Sequence, residues 1–374
     1  MKLIESTKVR NTTLQNRIIR SALWMNMADK DGHITPQLYK VYDELSKGEL
    51  GMIITGYTMV DPNDRPNPGM MGLYDDMFIE EHRQLVENAH ANGTSVVVQL
   101  ACGGSQTNHP DFQDRQLWGP SSVQNRVTKI TPKEMSRDDI KYLIKMFTDA
   151  SVRAQKAGYD GLELHAAHGY LLSQFLSPFC NRRTDNYGGS IHNRARIIYE
   201  VVRSIRKAVG EDFTIMVKMN HDDYMDEGEG LEVPDAIEVA RGLEKAGVDM
   251  IEISGVNETS GKGIGPARTK INKPELQSYY LEPTKQIAEA VTIPVILMGG
   301  NRQFERLQQI LETSRIQYFS LARPLLCEPD LLVKWKTDTS YKPRCVSCNG
   351  CYREGEVGCV LNEALARKSK KDMA

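Results

Sequence analysis

The chain is predicted to be an α/β protein whose eight parallel strands close into a (β/α)8 TIM barrel. The barrel forms a single domain, with long loops on one face and a short cysteine-rich tail. Two observations carry this reading. Short apolar, β-branched runs recur eight times with helical patterns between them, as parallel strands joined by crossover helices require. One unit is also echoed: Ala157-Gly-Tyr-Asp-Gly-Leu-Glu-Leu164 matches Ala246-Gly-Val-Asp-Met-Ile-Glu-Ile253, each a helix stopped by Gly, a turn and a buried strand. The glycine-rich turn that opens a doubly wound dinucleotide-binding sheet is missing, so closure is favoured over an open sheet.

In order, the expected strands are Arg17 to Ser21, Met52 to Thr55, Val96 to Leu100, Gly161 to His165, Ile215 to Lys218, Met250 to Ser254, Val295 to Met298 and Tyr318 to Leu321. Helix faces fill the gaps. Ile140, Leu143, Ile144, Phe147 and Ala154 share one, and Val233, Ala236, Ile237, Ala240 and Leu243 another. The segments Ala101 to Met135, Ala166 to Asn193 and Gly255 to Tyr280 are longer than connectors need, which suggests substrate lids at the strand C-terminal face. Residues 1–340 are assigned to the barrel and 341–374 to the tail.

Charge excludes some classes of partner. Lys+Arg 47 against Asp+Glu 49 leaves a net charge of -2, so neither nucleic acid nor a membrane surface is expected as a partner. The N-terminus lacks a long apolar run, and no stretch approaches the roughly 18 apolar residues that span a bilayer. A cytoplasmic protein is expected. Four of the seven cysteines lie between Cys345 and Cys359, which is no secreted disulfide framework.

Reading only the strand C-terminal ends gives Thr55, Gln99, His165, Lys218, Ser254, Gly299-Gly300 and Arg323, mostly polar residues or glycines where strand interiors are apolar. Single strand ends often just meet solvent; jointly these describe a ring of donors around a barrel mouth. The densest set is His165-Ala-Ala-His168-Gly-Tyr170. No third ligand accompanies the two imidazoles at metal-site spacing, whereas two donors aimed at one substrate oxygen, with a phenol as proton donor, make chemical sense. Met298-Gly-Gly-Asn301 and Ser320-Leu-Ala-Arg323 follow the seventh and eighth strands, where barrels often bind phosphate through backbone N–H groups and a guanidinium. A phosphorylated cofactor follows.

At these residues the chain resembles the Old Yellow Enzyme family of FMN-dependent NAD(P)H oxidoreductases. The most specific stretch is His165-Ala-Ala-His-Gly-Tyr-Leu-Leu-Ser-Gln-Phe-Leu-Ser-Pro, continued by Asn181-Arg-Arg-Thr-Asp-Asn-Tyr-Gly-Gly-Ser190. The resemblance implies FMN at the barrel mouth and NAD(P)H as co-substrate. It places Ser21, Ala22, Leu23, Gly56 and Tyr57 along the flavin, Gln99 at its pyrimidine ring, and Lys218 near N1. Gly299, Gly300, Asn301, Ala322 and Arg323 fall at its phosphate. It implies that His165 and His168 hold a substrate carbonyl or nitro oxygen and that Tyr170 gives the proton. The implied activity is reduction of an activated C=C bond by a ping-pong mechanism, with a small-molecule substrate and nicotinamide as partners, in a homo-oligomer. The chain departs from its relatives in three places. Trp24 replaces a Thr or Cys, Tyr57 replaces a small residue and is expected to narrow the pocket, and Leu-Ala-Cys-Gly-Gly-Ser105 replaces the usual His-Ala-Gly-Arg run.

Cys345-Val-Ser-Cys348-Asn-Gly-Cys351, followed by Cys359, resembles the cluster region of the 2,4-dienoyl-CoA reductase branch, with shorter gaps. A [4Fe-4S] cluster, a zinc site and a set of free thiols are the alternatives. A rival function is a redox flavoprotein that passes electrons without an organic substrate. The tail is expected to contribute nothing to the phosphate cradle.

Overall fold

The computed structural model describes residues 1–107, 109, 116–353, 355 and 357–372. Part of the long loop expected over Ala101 to Met135, at 108 and 110–115, lies outside the described residues. Eight strands form one ring: β1 (Ile18–Arg20), β2 (Met52–Ile54), β3 (Ser95–Ala101), β4 (Gly161–Ala166), β5 (Thr214–Asn220), β6 (Met250–Ser254), β7 (Val295–Leu297) and β8 (Tyr318–Leu321). Each pairs in parallel with the next, and β8 pairs with β1, so the sheet closes. This is the expected (β/α)8 barrel.

Around it lie α1 (Pro36–Ser46), α2 (Ile79–Ala91), α3 (Arg137–Lys156), α4 (Arg196–Val209), α5 (Val233–Ala246), α6 (Leu281–Ala290), α7 (Phe304–Thr313) and α8 (Leu331–Thr337). Local chemistry sets their ends. Ser136 and Asp139 form a reciprocal capping box at the start of α3, and Gly247, at φ 102°, ends α5 in the left-handed conformation that disfavours a side chain. Ile140, Leu143, Phe147 and Ala154 are fully buried against the sheet.

The barrel interior is layered. At its base Ile19, Met52, Ile54, Val97, Met216, Met250, Ile296 and Tyr318 pack with Val9 and Leu14, which come from the hairpin Thr7–Val9/Thr12–Leu14. Two residues further along the strands the same inward positions turn polar: Gln99, Glu163, Lys218, Glu252 and Ser320, all buried. One apolar layer therefore seals the base, and a charged layer forms the floor beneath the mouth. No helix among the described residues is long and apolar enough to cross a membrane.

Candidate active site

A cleft opens above the charged floor. Of the residues singled out in the sequence, it gathers Ser21, Ala22 and Leu23 after β1, His168, Lys218 from β5, Gly299, Gly300 and Asn301 after β7, and Ala322 and Arg323 after β8. Gly56, Tyr57, Gln99, His165 and Tyr170 lie outside its lining. Gly299 and Gly300 have φ of 103° and 78°, and a Cβ on Gly300 would meet the Tyr279 ring at 2.8 Å, so the turn admits no side chain. The Asn301 side chain is spent on the scaffold: its amide donates to Leu297 O at 2.7 Å and Ser320 O at 3.1 Å, tying β7 to β8. Arg302, which the sequence reading passed over, lines the same end as Arg323. The Arg302 guanidinium is held by neutral acceptors, Asn272 Oδ1 at 3.1 Å and Ser347 Oγ at 3.3 Å. Arg323 donates to Asn349 Oδ1. Two guanidinium groups engaged by neutral acceptors at a glycine turn suit a doubly charged phosphate.

The floor is more charged than the sequence reading expected. Lys218 Nζ lies 2.8 Å from Glu252 Oε2 and 3.8 Å from Glu163 Oε1. Gln99 Nε2 donates to Glu163 Oε1 at 2.6 Å, which leaves Gln99 Oε1 buried without a partner. Such an acceptor fits a ring N–H of the kind a flavin pyrimidine carries. Burial pulls the Lys218 ammonium down, but Glu252 and Glu163 more than offset it and the net shift is upward. Burial, with Glu252 alongside, pushes Glu163 well above the carboxylate range, so it is protonated. Burial acts on Glu252 too, yet Lys218 and its hydrogen bonds hold it below that range, so it is ionised.

On the other side of the mouth, His165, His168 and Tyr170 stand together. Ring centroids are 5.0 Å apart for His165 and His168 and 4.5 Å for His165 and Tyr170. His168 has φ 59°, a backbone cost that a histidine tolerates better than most residues and that is met at functional sites. Burial, followed by the neighbouring cations, lowers both imidazoles, His168 to about 3, so both are neutral. His165 Nδ1 accepts from Ala167 N–H at 3.3 Å, which puts the His165 proton on Nε2. His168 Nε2 meets Ser254 Oγ at 2.6 Å. Burial raises the Tyr170 phenol, so it is protonated.

Asn67, also missed in the sequence, donates to Tyr57 Oη at 2.8 Å and to Tyr170 Oη at 3.3 Å. With centroids 5.7 Å apart, Tyr57 and Tyr170 together wall this side. Gly56 packs β2 against the turn after β1, where a Cβ would sit 2.8 Å from Leu23 O. The Trp24 indole donates to Pro68 O at 2.7 Å. In the departure after Gln99, Cys102 Sγ, Gly104 N and Thr107 Oγ1 all donate to the buried Asp64 carboxylate, which shapes the third loop.

The tail corrects one expectation. Ser347 and Tyr352 line the cleft, Asn349 bridges Arg323 to Ala267 O, and Arg302 donates to Cys345 O. The tail therefore builds one wall of the cradle. The reason is packing that joins residues hundreds of positions apart, as when Val357 N donates to Met25 O at 3.0 Å. Cys345, Cys348, Cys351 and Cys359 are free thiols lining one small hollow beside Arg323. Among the described residues no three His, Cys, Asp or Glu side chains stand close enough to hold a metal ion.

Comparison with known proteins agrees with this architecture. The NADH oxidase of Thermoanaerobacter brockii is 32% identical over 375 residues, 98% of this chain and 56% of that protein. The chain thus spans about half the length of that relative. The NADPH dehydrogenase of Bacillus pumilus is 34% identical over 330 residues, 88% of this chain and 92% of that one. Among solved structures, a 2-naphthoyl-CoA reductase complex superposes with a TM-score of 0.89 at 23% identity, covering 98% of this chain and 57% of that one; at that identity the likeness shows the fold. Residues 2–341 match the family described as NADH:flavin oxidoreductase / NADH oxidase, and with its closed barrel the chain belongs to that family, the Old Yellow Enzyme family.

Proposed function

We propose that the protein is an FMN-dependent ene-reductase that takes hydride from NAD(P)H and reduces the activated C=C bond of small α,β-unsaturated carbonyl or nitro compounds. The observation that carries this reading is the placement of two neutral imidazoles and a protonated phenol beside a cleft that ends in two guanidinium groups held by neutral acceptors. Bound FMN would supply hydride transfer between nicotinamide and alkene. Gln99 and Lys218 would hold its pyrimidine end, and Arg302, Arg323 and the Gly299-Gly300 turn its phosphate.

The chain's own groups do the rest. His165 offers Nε2–H to the substrate oxygen, and in the tautomer in which His168 Nε2 accepts from Ser254 Oγ, the Nδ1 proton of His168 is left for the same task. Because both rings are neutral and fixed before substrate arrives, they donate without reorganisation, each worth on the order of 3 kcal/mol where negative charge develops on that oxygen. Tyr170 then delivers its proton to the α-carbon. Asn67 donates into the phenol oxygen and so stabilises the charge that Tyr170 is left with. An intact proton donor distinguishes this reading from a redox flavoprotein without an organic substrate, which needs none.

The tail sulfurs as placed do not fit a single zinc ion, whereas a [4Fe-4S] cluster, which takes each thiolate on a different iron, would draw on Cys345, Cys348, Cys351 and Cys359 around their shared hollow; no step is routed through a metal. The test is a two-stage assay. NAD(P)H should bleach the protein-bound flavin, and 2-cyclohexenone or a maleimide should restore its absorbance with formation of the saturated product. Reoxidation by oxygen alone, with no alkene consumed, would overturn the proposal.

A further inference from the structure

We propose that Glu252, which the reading above leaves without a role, sets how strongly Lys218 favours the reduced form of the flavin. The inference rests on the proposed FMN site. Glu252 sits next to Lys218 in register on the neighbouring strand, wholly buried in the cleft floor. Its Oε1 accepts from Ser21 Oγ at 2.7 Å and Ser320 Oγ at 2.5 Å, and its Oε2 lies 2.8 Å from Lys218 Nζ.

A carboxylate at such a place is expensive, because apolar residues of the same volume usually serve the fold as well as a buried ion pair. The arrangement nevertheless invests two hydroxyls, a lysine and a second carboxyl in it. Glu163 Oε1 and Glu252 Oε2 flank the same Lys218 Nζ, at 3.8 and 2.8 Å, and the proton of this pair rests on Glu163, which burial and the neighbouring Glu252 carboxylate push up. Glu163 is then neutral, and Lys218 and Glu252 cancel. The floor carries no net charge toward the cleft, although a lysine lines it.

Negative charge gathers on the pyrimidine end of a flavin when it is reduced, and a cation there favours that form. In a buried site an ion pair is screened little by salt, so removing one member is felt by whatever lies above it. Glu252 therefore restrains Lys218, and neutralising Glu252 releases the cation's full effect.

The test is a dye-linked potentiometric titration of the flavin-loaded protein. Glu252→Gln, made in a Glu163→Gln background so that Glu163 cannot ionise in its place beside Lys218, keeps the shape and removes the charge. At a fixed potential its reduced-to-oxidised ratio should rise at least tenfold over that background, about 30 mV for a two-electron couple. Lys218→Met should shift the ratio the other way. Adding Glu252→Gln to Lys218→Met should restore little, because Glu252 acts through the lysine. Glu252→Asp, which retains charge, should stay within about threefold of wild type. If Glu252→Gln does not fold, Ser320→Ala, which removes one donor from the carboxylate, should move the ratio upward about threefold.

An unchanged or lowered ratio in Glu252→Gln, or in Ser320→Ala where that variant stands in, overturns the inference while Lys218→Met still shifts the ratio. A wild-type protein that retains no flavin, or a ratio indifferent to Lys218→Met, shows instead that the reading of the cleft is wrong, and the inference falls with it.

Discussion

Replacing Arg323 with alanine removes one of two guanidinium groups at the phosphate end of the cleft. The side chain is 8% exposed, so its contact with a phosphate is poorly screened, and a charge-assisted hydrogen bond of this kind is worth roughly 1.5–3 kcal/mol. At about 1.4 kcal/mol per decade, FMN affinity should fall roughly 10- to 150-fold. It should not vanish, since Arg302 and the glycine turn remain. The tail should also stay in place, because Asn349 keeps its 2.7 Å bond to Ala267 O when Arg323 is lost. Fluorescence titration of the apoprotein measures the effect, and riboflavin, which has no phosphate, is the control. Its affinity should be the same for wild type and variant. An FMN dissociation constant that rises less than twofold, or an equal loss of riboflavin binding, would refute the cradle.

Tyr170→Phe should leave flavin reduction by NAD(P)H intact and slow alkene reduction by about 10² or more; stopped-flow traces in which both half-reactions slow equally would make Tyr170 a positioning group. His82, wholly buried between Tyr159 Oη and Gly72 O, is lowered from 6.5 to about 4 by burial. The unfolded chain therefore takes up that proton first. Its contribution is complete above pH 6.5 and declines as pH falls toward 4, by about 3 kcal/mol in all. Melting temperatures between pH 7 and 4 should accordingly fall less steeply in His82→Gln. Gly300→Ala, forced to φ 78° with its Cβ 2.8 Å from Tyr279, should cost about 1–3 kcal/mol of stability and weaken FMN binding; a variant that melts and binds like wild type would place the turn elsewhere. Iron, sulfide and zinc measured on anaerobically purified protein should show a metal at the tail, about four irons with sulfide for a cluster at Cys345, Cys348, Cys351 and Cys359 or one zinc for a structural site; metal-free protein with four titratable thiols would leave the tail as a packing element.

The barrel was legible because each of its strands announces itself locally, through an apolar run followed by a polar or glycine end. The mouth was legible for the same reason: Gln99, His165 and Lys218 sit where strand register alone places them. The charged floor was visible and misread. The echo between residues 157–164 and 246–253 includes Glu163 and Glu252, a carboxylate at the same place in two otherwise apolar strands. As a repeat it spoke for the fold, whereas burial makes it chemistry. Arg302, Asn67 and the tail's place in the cleft had no local signal. Their neighbours come from distant loops, and no periodicity encodes a meeting between residue 25 and residue 357.

That meeting bears on time rather than on affinity. With Ser347 and Tyr352 forming one wall of the cleft, and Asn349 and Cys345 tied to the two arginines, a phosphorylated occupant would lie against the tail. The bonds from Cys345 O and Asn349 to the two arginines would then bear on how fast that occupant exchanges. Two proteins with the same arginines and the same equilibrium constant would exchange their occupant at different rates if only one of them carried this wall.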